Sequence, residues 1–370
     1  MGKIKLNNNI CIATAFYYPH VGGIEVFTKR LAEELVKKGY GVIILTHKEN
    51  NSDSSITNIS KNIKIIRLDC HKLLNGRFPI VKKSKNNRKL INYIKSEKPY
   101  NFLINTRFYY LSQFTAKIAN ELDKVPVLLD HGSQHLTLGN RFLDVFVRHV
   151  EHRMTNKLKN YKIKYYGISL KSSKWLKHFG IKPKGEIPNA INTKEFTSNK
   201  TDYSLFKKYN IPKNAFIVYF VGRYFLEKGI LNLLSCAKKL SKKNIYFVFT
   251  GSGKLEKEIS KNQTNKIINT GYLKIEDISS IMQQASVLCL PTRSEGFCTT
   301  LLESSSCKLP AIITNVGGTD ELILDNNYGY IINNSSVEEI THAILELYNK
   351  KNKLEEIGNN IYNNVKTNYN

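Results

Sequence analysis

Two glutamates eight residues apart, Glu295 and Glu303, flank a stretch whose residue types suit an anion-binding site. Residues 287–290 form an apolar run typical of a buried parallel strand, and Pro, Ser and Gly residues then break the pattern. Thr299 or Thr300 can cap a helix that would follow this turn. Free backbone N–H groups and the helix dipole both favour a phosphate group at such a helix start.

The spacing of the two carboxylates suits a nucleotide diphosphate. If the helix begins near Phe297, its rise of about 1.5 Å per residue places Glu303 about 9 Å along from the turn. The phosphates would then lie at the helix start, with the ribose at one carboxylate and a sugar at the other. A capped helix with a solvated glutamate has the same spacing, so this stretch alone leaves both interpretations open.

Continued to Glu321, the stretch resembles the family 4 (group 1) glycosyltransferases, which have the GT-B fold. In that family two glutamates flank Gly-Phe-Gly, and a Leu-Pro-Val-Ile strand and a Gly-Gly-x-x-Glu turn follow. Here residues 309–321 read Leu-Pro-Ala-Ile-Ile-Thr-Asn-Val-Gly-Gly-Thr-Asp-Glu. Cys298 and Lys308 stand where the family usually has glycine. The resemblance implies an α/β protein of two Rossmann-like domains that face a central cleft.

A second part of the resemblance follows the apolar strand pattern of residues 216–221. Gly222 and Arg223 come directly after it, and Lys228 follows Glu227. Two cations in a strand-to-helix turn can converge on a diphosphate, although a basic turn is more often a solvated surface. In family 4 the Gly-Arg…Glu-Lys-Gly motif supplies two cations that bind the donor diphosphate, and the resemblance carries that role to Arg223 and Lys228.

The first half begins with a strand–helix–strand pattern. A strand at residues 10–16, a helix from about 26–38 and a strand at 41–46 make a βαβ unit. Its turn carries Gly22 and Gly23 but lacks the Gly-x-Gly-x-x-Gly fingerprint of dinucleotide-binding proteins. In family 4 the matching Gly-Gly-x-Glu loop closes against the diphosphate and the sugar.

One histidine occupies a position where ligands bind in open α/β sheets. His131 follows the strand expected at residues 125–130, at its carboxyl end. A lone histidine is more often structural than catalytic. Because many family members place a sugar-contacting histidine after this strand, the resemblance implies such a contact for His131.

The order of the patterns predicts three parts of the chain. An N-terminal, acceptor-side Rossmann-like domain is expected at residues 1–192, and a polar linker at residues 193–212. A C-terminal Rossmann-like domain that binds the nucleotide-sugar is expected at residues 213–370. Family members usually continue with a last helix that crosses back onto the N-terminal domain, and this chain ends about where that helix would begin.

The resemblance implies a retaining glycosyltransferase that uses a nucleotide-activated sugar without a metal ion. The sequence has no Asp-x-Asp motif beside a strand, which agrees with side-chain cations replacing a metal. Arg223, Lys228 and the helix start near residues 297–300 would stabilise the negative charge that grows on the leaving diphosphate. Glu295 would position sugar hydroxyls and Glu303 the ribose. By family analogy the acceptor attacks from the face that the diphosphate leaves, and a diphosphate oxygen takes the proton.

Two sets of residues make up the expected site. The catalytic set is Glu295, Arg223, Lys228 and His131. The donor-binding set is Gly22, Gly23, Gly222, Arg223, Lys228, Gly251, Tyr272, Leu273, Glu295, Gly296, Phe297, Cys298, Thr299, Thr300, Leu302 and Glu303. No metal ligand and no cofactor are expected, since the UDP- or GDP-sugar is a substrate.

The formal net charge of +26 is concentrated in the first half of the chain. Residues 1–200 carry 36 Lys and Arg against 14 Asp and Glu, whereas residues 201–370 carry 20 against 16. A Lys-rich proteome would raise lysine everywhere, so it does not explain this asymmetry. A basic nucleic-acid-binding protein is one alternative, but no helix-turn-helix, zinc-ligand or RNP-like pattern is present. A nucleotide-sugar epimerase or a glycogen-synthase-like enzyme of the same fold is another.

The densest basic run, residues 61–98, holds 12 basic and 2 acidic residues with apolar residues between them. The apolar residues in this run include Leu73, Leu74, Phe78 and Ile80. The mixture favours a peripheral contact between the N-terminal domain and an anionic membrane, where the acceptor would be a lipid-linked saccharide for bacterial surface polysaccharide. An ordinary solvated Lys-rich surface is the alternative.

The remaining composition favours the cytoplasm. No apolar run approaches the roughly 18 residues of a membrane span, and the N-terminal segment does not fit a signal peptide. The six cysteines form no Cys-x-x-Cys pair and no metal-ligand spacing, so reduced thiols are expected. We therefore expect a cytoplasmic protein, held peripherally on the inner face of the cell membrane.

Overall fold

Parallel strands that are buried on both faces need continuous apolar runs, and the chain supplies two sets of such runs. The computed structural model describes residues 8–20, 22–74, 76–136, 141–198 and 203–370. The chain divides into two compact units, residues 1–187 and 188–370, and each is built on its own sheet.

The first unit contains nine strands and five helices within its described residues. The strands are β1 (Asn9–Ala13), β2 (Gly41–His47), β3 (Ile56–Ser60), β4 (Ile63–Leu68), β5 (Cys70–Leu73), β6 (Phe78–Val81), β7 (Asn101–Asn105), β8 (Val127–Asp130) and β9 (Lys164–Gly167). The helices are α1 (Gly23–Lys37), α2 (Lys85–Ser96), α3 (Tyr110–Glu121), α4 (Arg141–Leu158) and α5 (Leu170–His178).

Seven of these strands form one sheet in the order β3-β4-β2-β1-β7-β8-β9, while β5 and β6 form a separate antiparallel hairpin. All neighbours in the large sheet are parallel except β3 and β4. Alternate side chains of β1 pack on opposite faces, as the pleat requires. Ile12 packs in a cluster with Ala32 of α1, whereas Cys11 packs in a cluster with Leu90 of α2.

The second unit is a six-stranded parallel sheet covered by helices. Its strands are β10 (Phe216–Val221), β11 (Ile245–Thr250), β12 (Ile267–Gly271), β13 (Val287–Leu290), β14 (Ala311–Thr314) and β15 (Tyr330–Ile332). Its helices are α6 (Thr193–Ser198), α7 (Leu205–Lys208), α8 (Ile230–Lys239), α9 (Glu256–Lys261), α10 (Ile275–Gln284), α11 (Thr299–Ser306), α12 (Thr319–Leu322), α13 (Val337–Asn349) and α14 (Leu354–Asn368), with 3₁₀ turns at Leu226–Lys228 and Lys351–Lys353. The strand order over the described residues is β12-β11-β10-β13-β14-β15.

Several elements differ from the sequence-based expectation. β1 ends at Ala13 rather than at residue 16, because Thr14 donates the last ladder hydrogen bond to Leu45 O and its hydroxyl then bonds Phe16 O. The densest basic run, residues 61–98, contains β4, the β5–β6 hairpin and α2.

The segment expected to be a polar linker, residues 193–212, contains α6 and α7, which pack onto the second unit. Ser279 Oγ of α10 donates a hydrogen bond to Phe196 O at 2.7 Å, and Leu205 N–H donates to Gln284 Oε1 at 2.9 Å. Phe196 and Leu205 are both buried, and their burial holds these short helices against α10. The boundary between the compact units falls instead between Ile187 and Pro188.

No helix within the described ranges is both long enough and apolar enough to cross a membrane.

Candidate active site

The strand order of the second unit reverses between β10 and β13. Open α/β sheets bind ligands outside the carboxyl ends of the strands at such a switch point. Gly222 and Arg223 directly follow β10, and Glu295 lies in the loop that follows β13. The fold therefore brings two predicted donor-binding segments to the same edge of one sheet.

Glycines allow the ends of three neighbouring strands to approach closely. Gly251, which follows β11, has a φ of +144°, and a Cβ there would lie 1.9 Å from Gly222 O. Gly251 N–H donates to Gly271 O at 2.9 Å, and Gly222 N–H donates to Thr250 O at 3.0 Å. A side chain at Gly251 would separate these strand ends, so this position of the predicted donor set requires glycine.

A second glycine holds the cation-bearing turn against the loop after β13. Gly229 has a φ of +67°, and a Cβ there would lie 2.0 Å from Pro291 O. Arg293 N–H donates to Glu227 O at 2.7 Å across the same contact. The 3₁₀ turn Leu226–Lys228 is thereby fixed beside the loop that carries Glu295.

Lys228 and Glu295 form an ion pair between Nζ and Oε1. Both side chains keep partial access to solvent, with exposures of 20% and 21%. Arg223 is exposed, and its guanidinium carbon lies 5.3 Å from the centre of the Phe225 ring. One predicted cation is therefore paired with the predicted catalytic glutamate, and the other lies at the surface near the same turn.

The start of α11 carries three of the predicted donor residues, Cys298, Thr299 and Thr300. Cys298 is the N-cap residue and Thr299 is the first helical residue, so neither Thr299 nor Thr300 has the expected capping role. A thiol is a weaker hydrogen-bond acceptor than the hydroxyl of a usual cap. Leu301 N–H donates to Cys298 O at 3.1 Å, and the Cys298 side chain makes no capping hydrogen bond at the helix start, a place where backbone N–H groups can bind an anion.

The Gly-Gly turn of the second motif packs directly on this loop. A Cβ at Gly317 would lie 2.5 Å from Gly296 O, and one at Gly318 would lie 2.6 Å from the Phe297 ring. Phe297 is buried, and its ring centre lies 5.7 Å from that of Tyr369. The two halves of the family motif thus meet, and Phe297 supports the loop from the core side.

Both predicted carboxylates, Glu295 and Glu303, influence the pKa of Cys298 at the start of α11. Burial raises the pKa of the Cys298 thiol to about 12, and the negative charge of Glu295 acts in the same direction. Lys228 opposes this shift, and Glu303 adds a smaller upward effect. All three charged groups affect the pKa of Cys298, so they all act on the region at the start of α11. The thiol itself stays protonated at neutral pH.

The other predicted donor residues of the second unit differ in accessibility. Glu303 is half-buried on α11, and Leu273 is half-buried after β12. Tyr272 is 79% exposed. Leu302 is fully buried in the core, so its side chain is not on an accessible surface and a direct side-chain contact with a donor is ruled out for this residue.

In the first unit, the strand order reverses between β1 and β7, and the predicted Gly-Gly loop follows β1. Gly22 is the N-cap residue of α1 and Gly23 its first residue. Glu25, in the first helical turn, is buried, and a Cβ on Gly22 would lie 2.6 Å from its Oε2. His20 Nδ1 lies 3.1 Å from Glu25 Oε1. The start of α1 therefore already holds a carboxylate of its own.

His131 follows β8 and is held in one tautomer. Its Nε2 lies 3.0 Å from Asn105 Oδ1, and Asn105 Nδ2 donates to Thr28 Oγ1 at 3.0 Å. The Asn105 oxygen is thus the acceptor, and His131 Nε2–H the donor. Burial lowers the pKa of His131 to about 3, so the ring is neutral at physiological pH and Nδ1 is an acceptor. Phe27 packs edge-on against it, at 5.3 Å between ring centres.

Sequence reasoning missed the residues that orient His131. Asn105 ends β7 and Thr28 lies on α1, so the contact depends on which strand neighbours β8. Asn105 could have been identified as a polar residue at the carboxyl end of an apolar strand, a position where open α/β sheets bind ligands.

Residues 203–364 match the sequence model of the family described as glycosyl transferases group 1. The chain carries a group 1 glycosyl transferase domain. This finding confirms the family that the motifs resemble, and the matched residues include the β10 turn, the loop after β13 and α11.

Known proteins extend the similarity beyond the group 1 glycosyl transferase domain. An uncharacterized glycosyltransferase of Methanocaldococcus jannaschii is 28% identical over 351 residues, which cover 94% of this chain and 90% of that protein. An Escherichia coli UDP-Gal:alpha-D-GlcNAc-diphosphoundecaprenol alpha-1,3-galactosyltransferase is 27% identical over 175 residues, 45% of each chain. The crystal structure of Anabaena HepE in complex with UDP-glucose matches with a TM-score of 0.74 at 14% identity, over 98% of this chain and 95% of that one. The last similarity confirms the α/β fold of the GT-B glycosyltransferases.

Proposed function

We propose that this glycosyltransferase is retaining and metal-independent, and that it moves a sugar from a UDP- or GDP-sugar to a lipid-linked saccharide in bacterial surface polysaccharide synthesis. The observation that carries the proposal is the Lys228–Glu295 ion pair beside the start of α11. A diphosphate needs cations and N–H donors, and a sugar needs a hydrogen-bond acceptor for its hydroxyls. All three groups occur at one switch point of the sheet.

Each charged group has a separate role in the proposed reaction. The bond between the anomeric carbon and the diphosphate oxygen breaks, and the acceptor oxygen forms a bond to the same face of that carbon. The acceptor proton passes to the departing diphosphate. Lys228, Arg223 and the N–H groups of α11 stabilise the charge on the diphosphate. Glu295 accepts hydrogen bonds from the sugar and Glu303 from the ribose.

His131 is proposed to contact the sugar as a neutral hydrogen-bonding group. Its low pKa, caused by burial, keeps it uncharged while positive charge develops at the anomeric carbon. Nδ1 accepts a hydrogen bond from a sugar hydroxyl, since Nε2–H is already donated to Asn105. Gly22 and Gly23 provide backbone that the donor can approach.

Relatives support the donor and acceptor classes. The HepE crystal structure contains UDP-glucose, and the E. coli relative is named for transfer from UDP-Gal to a diphosphoundecaprenol-linked GlcNAc. Over nearly its whole length the chain is also similar, at 23% identity, to a human phosphatidylinositol N-acetylglucosaminyltransferase subunit, whose named acceptor is a lipid. These names favour an acceptor held at a bilayer.

Two exposed regions of the first unit support contact with an anionic membrane. In and after the β5–β6 hairpin, Leu73 and Leu74 are 48% and 55% exposed, and Lys83 and Lys85 are exposed nearby in sequence. The predicted apolar partners Phe78 and Ile80 are half-buried, so they contribute less surface than expected. Each Lys or Arg at an anionic surface contributes about 1 kcal/mol.

The second exposed region is the start of α4, which sequence reasoning did not single out. Phe142 is 90% exposed, and Val145 and Phe146 are each 66% exposed. Arg148 is exposed one turn further along the same helix. Aromatic side chains beside cations suit the boundary between headgroups and acyl chains.

A transfer assay with purified full-length protein tests the donor half of the proposal. We expect release of UDP or GDP that depends on an added lipid-linked acceptor and continues after exhaustive EDTA treatment. The new glycosidic bond should keep the anomeric configuration of the donor, which NMR of the product measures. A rate that collapses with EDTA and returns with Mg²⁺ or Mn²⁺, or an inverted product, would contradict the mechanism.

The same assay separates the proposal from an epimerase of the same fold. An epimerase converts a nucleotide-sugar without an acceptor and without net release of the nucleoside diphosphate. Conversion of the donor sugar in the absence of acceptor would therefore replace the transferase assignment.

Flotation with liposomes tests the membrane half. Binding to anionic vesicles should fall with salt and with charge reversal at Lys82, Lys83 and Lys85, and Phe142→Ser should weaken the salt-resistant part. Charge reversal at the exposed Lys238 and Lys239 of α8, in the other unit, is the matched control. Equal recovery with neutral and anionic vesicles, or no flotation at low salt, would refute the contact with an anionic membrane and leave the transferase proposal in place.

A further inference from the structure

Three histidines from separate segments of the first unit meet outside the candidate active site. His135 follows β8, His152 lies on α4 and His178 ends α5. Their ligand atoms all lie within 4.8 Å of one another. Among the residues that the structure describes, they form the one group of at least three such side chains close enough to share an ion.

A buried carboxylate orients one of these rings. His135 Nδ1 lies 2.8 Å from Oε2 of Glu151, whose side chain is only 1% exposed. A neutral imidazole that donates from Nδ1 keeps its lone pair on Nε2. Metal-binding histidines commonly donate their other ring N–H to a carboxylate, which fixes the tautomer and the ring orientation.

The charges behind the histidines favour a cation. Arg107 is 1% exposed and pairs with two carboxylates, Asp130 at 2.8 Å and Glu151. This buried trio has a formal charge of −1, and His135 connects it to the cluster. His152 lies between the other two histidines, with its ring centre 5.5 Å from that of His135 and 5.2 Å from that of His178.

We propose that His135, His152 and His178 bind a divalent transition-metal ion, with Zn²⁺ the best-fitting example. Neutral imidazoles suit Zn²⁺ in a tetrahedral site, where Zn–N bonds of about 2.0–2.1 Å place ligand atoms about 3.3–3.4 Å apart. The ligand atoms, now within 4.8 Å of one another, would have to move closer on metal binding, and His178 is exposed to solvent. The fourth ligand is water.

The ion's role is structural. It ties the segment after β8 to α4 and α5, and it lies in the first unit rather than at the candidate diphosphate site of the second. The inference is therefore independent of the proposed metal-free transfer. If EDTA lowered activity by removing the ion from this site, Zn²⁺ would restore the activity, and a His178→Gln variant would show no such loss. A catalytic metal bound elsewhere would leave that variant sensitive to EDTA.

The single tryptophan of the chain gives a direct readout. Trp175 stacks on His178 with 4.7 Å between ring centres and 3° between planes. Metal binding at His178 should change its fluorescence, and paramagnetic Co²⁺ should quench it. Full-length protein without an affinity tag is stripped with a chelator and titrated with Zn²⁺ or Co²⁺, and calorimetry measures the stoichiometry and affinity in parallel.

We expect one ion per chain, a saturable fluorescence change and a higher Tm with Zn²⁺. His152→Gln preserves the stacked Trp175–His178 pair and should weaken binding at least about 100-fold, as should His178→Gln. The exposed His71→Gln, on β5, is the matched control and should bind as the wild type does. Two outcomes would overturn the proposal: unchanged binding in both cluster variants, or no stoichiometric binding by the wild type. In either case cysteines or surface groups would account for any metal bound.

Discussion

Replacing Lys228 by alanine tests the charge arrangement at the candidate diphosphate site. In the structure Lys228 pairs with Glu295, and each side chain is about one-fifth exposed. The variant removes the cation that we propose stabilises the leaving diphosphate, and it leaves the Glu295 carboxylate without this partner. Both effects raise the free energy of the transition state.

The expected size follows from the loss of one preorganised group in a partly closed site. Removing such a group costs about 2–4 kcal/mol of transition-state stabilisation. This range corresponds to a decrease in kcat/KM of about 30- to 1,000-fold. Glu295→Gln should mainly lower kcat, because the proposed contact of Glu295 is with the sugar, which becomes oxocarbenium-like in the transition state. The double variant should lose less than the sum of the two, with a coupling of about 0.5–3 kcal/mol between residues in contact.

Initial rates with varied donor concentration measure kcat and KM for the wild type, both single variants and the double variant. Lys350→Ala is the matched control, because Lys350 also forms an ion pair, with Glu346 at 2.7 Å on α13, away from the switch point. Its kcat/KM should equal that of the wild type. Unchanged kcat/KM in Lys228→Ala, or losses that add fully in the double variant, would refute the reasoning from this pair.

Three further predictions concern single residues. Burial lowers the pKa of His131 from 6.5 to about 3. Its contribution to the free energy of unfolding is therefore complete above about pH 6.5 and is lost as the pH falls towards 3, by up to about 1.4 kcal/mol per pH unit. In urea unfolding, His131→Gln should lose less stability on acidification than the wild type, and equal losses would contradict this prediction. Cys298, whose thiol pKa is raised to about 12 by burial, should resist iodoacetamide in the folded protein and react after denaturation, as mass spectrometry of peptides would show. At Gly229 the backbone is left-handed, and a Cβ would lie 2.0 Å from a carbonyl oxygen. At Gly39 the φ is +87°, and no atom outside the adjacent residues lies within 4 Å of an added Cβ. Gly229→Ala should therefore lower Tm more than Gly39→Ala, and a smaller effect at Gly229 would show that its contact with Pro291 is unimportant.

The strands next to the candidate site were predictable because their sequences are continuous apolar runs. The bounds expected for residues 216–221 and 287–290 are those of β10 and β13. Fully buried parallel strands tolerate few polar residues, so their limits are marked by the first glycine or proline. The helix that follows β13 was also predicted, although its cap is Cys298 rather than a threonine.

The contacts within the site could not be predicted in the same way. Lys228 and Glu295 are 67 residues apart in the chain and meet because β10 neighbours β13. His131 and Asn105 meet because β7 neighbours β8. Strand order depends on how whole βα units pack, and no local pattern encodes it. The histidine cluster has no motif spacing at all, since its members come from a loop and two helices.

The two units use similar parallel-sheet architectures with different charged groups near their switch points. In the second unit Gly222 directly follows β10. In the first unit Gly22 lies in the loop after β1. There the start of α1 holds the buried carboxylate of Glu25, whose Oε1 lies 3.1 Å from His20 Nδ1. In the second unit the nearest carboxylate, Glu295, is paired with Lys228, and α11 has a thiol at its cap rather than an acidic group. This difference supports the proposal that the diphosphate binds at the start of α11 in the second unit.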